Sequence, residues 1–128
     1  MKAEINLITI WTDDVEGMKD FYTRVIGFEP INDLGDYVEF GSRGVRFAIC
    51  KRSVMVGYSK EYLRKSQGQR FELAFPCHSP EDVDLSYERI VKLGATPVHG
   101  PKDMPWNQRT ALFADPDGNI HELFAELG

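Results

Sequence analysis

The sequence is short of the residues from which most metal and covalent chemistry is built. Cysteine occurs twice, at Cys50 and Cys77, and histidine three times, at His78, His99 and His121. Neither cysteine has a second cysteine or a histidine at zinc-finger spacing. Each lies in an apolar, strand-like run, so both are read as reduced packing residues without a disulfide framework. The histidines are read as surface or helix-packing residues: His78 at a strand end, His99 in a loop, His121 on the face of its strand opposite Glu122. None stands with an acid and a serine or cysteine at a spacing that suggests nucleophilic catalysis. Basic residues are not in excess either. Fifteen Lys and Arg against twenty Asp and Glu leave a formal net charge of −5, which speaks against nucleic acid or an anionic membrane as partner. No apolar run is long enough to span a bilayer, and the run after Met1-Lys2-Ala3-Glu4 meets Asp13 and Asp14 too soon for a signal peptide. A cytoplasmic protein is expected.

What is present suits an ordinary globular protein. With 128 residues, 42% of them hydrophobic, the chain can bury a real core as a single domain. Its most informative stretch runs from Trp106 to Phe124. Two strand-like runs flank Asp115-Pro116-Asp117-Gly118-Asn119, a pentapeptide with the chemistry of a tight reversal: proline fixes φ, Gly118 accepts positive φ, and the short polar side chains bond their own backbone. On the outgoing strand Ile120, Glu122 and Phe124 share one face, and His121, Leu123 and Ala125 the other. A carboxylate between two apolar neighbours needs water, a partner or a metal, so Glu122 is the residue to follow.

Upstream, Ile5 to Trp11 reads as a strand with Leu7, Thr9 and Trp11 on one face and Ile8 and Ile10 on the other. Asp13 is expected to cap a helix, with Glu16 closing a capping box. Val15, Met18, Phe21, Tyr22 and Val25 form its apolar stripe, and Gly27 stops it. Strands are expected at 28–34, 36–41 and 45–51. The segment Ser53 to Gln69 breaks the pattern, as a short polar helix over Ser59 to Ser66 or a lid.

The second half then repeats the first. Arg70 to Cys77 is a strand, with Glu72 and Ala74 on one face and Leu73 and Phe75 on the other. Ser79-Pro80-Glu81-Asp82 starts a helix with stripe Val83, Tyr87, Ile90 and Val91 that ends at Gly94. Thr96 to Val98 is a short strand, and His99 to Pro105 a loop. Asp14-Val15 through Gly27 to Ile31 aligns with Asp82-Val83 through Gly94 to Val98 with one gap, an internal duplication of a βαβββ unit. The expected fold class is α+β: two βαβββ modules, about 4–52 and 70–126, joined by 53–69. Their strands would form one curved, half-barrel mixed sheet with both helices outside.

This doubled pattern, with Asp14-Val15-Glu16 leading to Phe21-Tyr22, Ile26-Gly27-Phe28, Leu93-Gly94-Ala95, Trp106 with Arg109, and Asp115 through Leu123, resembles the vicinal oxygen chelate superfamily over about residues 4 to 126. That group contains glyoxalase I, bleomycin-resistance binding proteins, extradiol dioxygenases and fosfomycin-resistance enzymes. The resemblance implies a bowl lined by the first and last strands of each module. In metal-dependent members those strands carry the ligands. Glu122 matches the closing-strand carboxylate, Glu72 a position commonly histidine, Leu7 another such position, and the fourth ligand falls near Phe47 or Ala48. Leucine and phenylalanine supply no lone pair, so a transition-metal site is not expected. Glu72 and Glu122 alone are left for a hard divalent ion.

The inner face expected from this resemblance comprises Leu7, Thr9, Trp11, Phe47, Ile49, Glu72, Ala74, Trp106, Arg109, Glu122 and Phe124. Aromatic walls with a few converging charges suit a flat or amphipathic small molecule. Trp106 and Arg109 are expected to frame it together, and Arg109 has the alternative of pairing with Glu122 or Glu72. Two functions follow. One is a metal-free, cofactor-free binding protein of the bleomycin-resistance type, a homodimer by resemblance. The other is a glyoxalase-type isomerase, lyase or dioxygenase-like enzyme with Glu122 and Glu72 as catalytic groups or as ligands of a divalent metal.

Overall fold

Each half of the repeat folds as its own compact unit, residues 1–66 and 67–128, and the computed structural model describes residues 1–65 and 67–128. The first unit runs β1 (Leu7–Thr12), α1 (Val15–Asp20) continuing as a π-helical stretch (Phe21–Ile26), β2 (Pro30–Asp33), β3 (Tyr37–Phe40), β4 (Arg46–Lys51), α2 (Arg52–Val56) and a 3-10 turn (Lys60–Leu63). Its four strands lie in the order β1-β4-β3-β2, with β1 parallel to β4 and the other pairs antiparallel. The cap of α1 is Asp14 instead of the expected Asp13. The Asp14 N–H donates to Thr12 Oγ1 at 2.9 Å and its carboxylate accepts from Gly17 N at 3.0 Å. A side chain at Gly17 would collide with that carboxylate, so the glycine lets the cap close.

The face of this sheet under α1 is an aromatic core. Tyr22 lies 5.0 Å from Phe47 and Phe47 stacks on Phe40 at 5.5 Å, measured between ring centroids, and all three side chains are buried. Of the segment from Ser53, Val54-Met55-Val56 belongs to α2. The helix expected over Ser59 to Ser66 is only the 3-10 turn, and Ser66 lies outside the described residues.

The second unit runs β5 (Ala74–Pro76), α3 (Pro80–Leu93), β6 (Thr96–Met104), β7 (Gln108–Ala114) and β8 (Ile120–Glu126), in the sheet order β5-β8-β7-β6. Ser79 caps α3 by accepting from Asp82 N at 3.1 Å, and Pro80 opens the helix as its sequence requires. Val83 and Ile90 bury its stripe against a core that includes Ala111, Phe113, Leu123 and Ala125. β6 extends well past the expected Val98. Register shifts between Pro97 and His99 and between His99 and Lys102 let Val98, Gly100 and Pro101 pass without ending its pairing with β7.

The β7–β8 hairpin is closed by Asp115, which is 2% exposed. Its carboxylate accepts from Asp117 N and Asn119 N at 3.0 Å each and from Asn119 Nδ2 at 2.9 Å. This fixes the register Ala114↔Ile120 through Gln108↔Glu126. Asp115→Ala should destabilise the protein by about 2–4 kcal/mol, because a buried acceptor is removed and its donors lose their partner. Urea unfolding checks this, and a change within error would show that the turn holds itself without the carboxylate.

Candidate functional site

Strand parity decides which side chains can form a site. On β8 the residues turned toward α3 are His121, Leu123 and Ala125, all buried. Ile120, Glu122 and Phe124 are half-buried on the opposite face. Ladder partners extend that second face: Glu122 sits beside Ala74 on β5 and Leu112 on β7, and Phe124 beside Pro76 and Thr110. Burial raises the Glu122 carboxyl above the ordinary glutamate range, and the negative charge of Glu72 raises it further. Among the described residues no Lys, Arg or His side chain forms an ion pair with it. Glu72 is exposed and lies just ahead of β5, where Glu122 N–H donates to Leu73 O at 2.9 Å.

Not every expected pocket residue of this unit lies on this face. Arg109 turns toward α3, where its Nη1 donates to Asp84 at 2.9 Å and its Nε to Asp103 at 2.8 Å. It pairs with neither Glu122 nor Glu72. The cause is register: Arg109 lies opposite Ala125, a helix-side residue. Trp106, three positions earlier, sits in the β6–β7 turn and is 58% exposed, so ring and guanidinium do not frame a common space. In the first unit Phe47 likewise lies on the helix side. Its ladder partner is Ile8, on the helix-side face of β1, and it is part of the aromatic core together with Ile49, which pairs with Ile10.

In the first unit Leu7, Thr9 and Trp11 do share the face turned away from α1, in register with Arg46, Ala48 and Cys50. Leu7 is 38% exposed, and Trp11 meets the ring of Tyr62 edge-on at 5.3 Å. Sequence reasoning missed the polar group on this face. Buried Glu39 accepts from Arg46 Nε at 3.0 Å and Nη2 at 2.8 Å, and from the Tyr37 hydroxyl at 3.3 Å. The Arg46 hydrogen bond holds the Glu39 carboxyl below its usual range. The Gly41-Ser42-Arg43-Gly44 turn was the available signal, since it sets Glu39 diagonally across from Arg46.

Leu7 and Ala48 stand at two of the four expected ligand positions, and among the described residues no three His, Cys, Asp or Glu side chains are grouped closely enough to hold an ion.

Two βαβββ units, each a four-stranded mixed sheet with a helix on one face, define a particular class of α+β protein. The sequence model of the Glyoxalase/Bleomycin resistance protein/Dioxygenase superfamily matches residues 4–123, and the chain belongs to that superfamily. It is similar to Uncharacterized protein YraH of Bacillus subtilis (strain 168), 29% identical over 127 residues that cover 94% of this chain and 96% of that one. A crystal structure of a glyoxalase/bleomycin resistance protein/dioxygenase from Nocardioides superposes with a TM-score of 0.86 at 26% identity, covering 99% of this chain and 85% of that one. A superfamily member from Sphaerobacter thermophilus DSM 20745 does so at 0.74 and 28%, covering 98% of each. No helix among the described residues is long and apolar enough to cross a membrane.

The raised Glu122 carboxyl has a thermodynamic consequence. The folded protein holds this proton more tightly than the unfolded chain does. Its contribution therefore favours folding below the ordinary glutamate range and is lost as pH rises through the raised value. Glu122→Gln, which cannot ionise, should gain stability over the parent as pH is raised from about 4 to about 7. Thermal unfolding of both proteins across that range checks it, and parallel curves would remove the basis for a perturbed carboxyl.

Proposed function

We propose that this protein is a small-molecule-binding member of its superfamily, of the bleomycin-resistance type, that works without a transition metal. The observation that carries the reading is Glu122: a half-buried carboxyl between Leu112 and Phe124, with no cationic side chain paired to it among the described residues. Such a group meets a ligand's polar atom while its apolar neighbours meet a flat hydrocarbon surface. Ala74 beside it is small and exposed on the same face, Thr110 lies beside Phe124, and exposed Glu72 adds a second acceptor at the edge. A homodimer is part of it, checked by light scattering after size exclusion.

The raised carboxyl also favours a second reading, proton abstraction next to a carbonyl with Glu122 as base. The resulting enolate would need a cation or a preorganised donor to steady it. Arg109, the nearest guanidinium in sequence, is committed to Asp84 and Asp103 on the other face. Binding without turnover is therefore the better supported of the two.

The experiment is a thermal-shift screen of planar amphipathic compounds, with titration calorimetry on any compound that raises Tm. Glu122→Gln should weaken a hit about tenfold or more, the loss of one hydrogen bond to a charged group. Metal analysis of protein purified without chelators is the control. A stoichiometric divalent metal, with a large rise in Tm on adding Mn²⁺, Ni²⁺ or Zn²⁺, would defeat the proposal in favour of the enzyme.

A further inference from the structure

The stretch 69–73 ahead of β5 looks poorly suited to hold a functional side chain. Gln69, Arg70, Phe71 and Glu72 are all exposed, the β5 ladder begins only at Ala74, and Glu72 repels Glu122. A run of this kind ordinarily frays. Here it is tied along β8 at several points. The Gln69 side-chain amide treats Ile120 as a strand neighbour's backbone would: its Oε1 accepts from Ile120 N at 2.7 Å and its Nε2 donates to Ile120 O at 2.6 Å. The same Nε2 donates to Phe71 O at 2.8 Å. Farther along, Leu73 N donates to His121 Nδ1 at 3.1 Å, and Glu122 N donates to Leu73 O at 2.9 Å.

The histidine is fixed for this task. His121 is 2% exposed, its ring centroid is 5.9 Å from that of Phe113 and 6.1 Å from that of Phe75, and its Nε2 lies 3.7 Å from the Asp115 carboxylate. A carboxylate beside Nε2 favours the tautomer with its proton there. Nδ1 then carries the lone pair that accepts from the Leu73 amide. Gln69 is equally specific in kind. Reciprocal pairing with one residue's N–H and C=O needs a donor and an acceptor on one side chain, which only an amide of this reach supplies.

We infer that Gln69 and His121 are positioning residues: they act as side-chain strand partners that hold the 69–73 segment on β8 and so place Glu72 beside Glu122. The inference rests on the reading of Glu122 as the polar centre of the site. Glu72 directly precedes Leu73, whose carbonyl accepts from the Glu122 amide, so holding this segment on β8 holds Glu72 at the edge of the Glu122 face.

The test compares the parent with Glu72→Gln and Gln69→Ala, both changes at exposed positions that leave the core intact. Carbon-detected NMR follows the Glu122 carboxyl through its titration, and amide exchange is read at Leu73 and Ile120. Glu72→Gln should lower the Glu122 midpoint. Gln69→Ala should lower it by a similar amount, and the Leu73 and Ile120 amides should exchange about tenfold faster while Phe113 and Leu123 do not change. If Glu72→Gln lowers the midpoint but Gln69→Ala leaves it at the parent value, the positioning role is overturned and the site reading survives. If neither change moves it, the two carboxylates are not coupled, and both readings fall.

Discussion

The site depends on the closure of one hairpin. With its carboxylate buried and its acceptor sites occupied by Asp117 and Asn119, Asp115 leaves β8 a single register against β7. Side chains alternate along a strand, so a slip of one residue would turn Glu122 into the apolar core under α3 and carry His121 out of it. The same turn also presents Asp115 to His121, whose other nitrogen receives the Leu73 amide. One buried acid thus fixes both the facing of the Glu122 carboxyl and the approach of the strand that carries Glu72.

Among the described residues no cationic side chain forms an ion pair with this carboxyl. The arginine best placed in sequence to neutralise it, Arg109, joins Asp84 of α3 to Asp103 of β6 and strengthens the packing of helix on sheet. In the first unit Arg46 is similarly taken up by Glu39. Among the described residues Arg109 and Arg46 therefore have structural partners, while Glu122 has Ala74, Leu112 and Phe124 beside it and a second acid whose charge acts on it. A half-buried acid in such surroundings holds its proton more tightly than one in water, a condition suited to a ligand that can share a hydrogen bond with it.

Much of this was legible in the chain itself. The repeated Asp-Val helix starts, the glycines at Gly27 and Gly94 with positive φ, and the Asp-Pro-Asp-Gly-Asn reversal are local features whose chemistry does not depend on distant partners. The parity of β8 could be read because Glu122 stands between apolar residues on one of its faces. The parity of β4 could not, since Phe47, Ala48, Ile49 and Cys50 are all buried and offer no polar alternation. β7 was obscure for a related reason: Arg109 lies between Gln108 and Thr110, so polar residues fall on both faces.

The sequence by itself determined the class of fold, the doubled βαβββ order and the placing of Glu122 on the face of its strand away from the helix, because short-range periodicity and turn chemistry carry that information. Only the tertiary structure decided where the long charged side chains go. Arg109 reaches an acid on a helix twenty-five residues away in sequence, and Gln69 pairs with a strand fifty-one residues away. Contacts across such separations depend on register and side-chain reach, and neither is written in the local pattern of the chain.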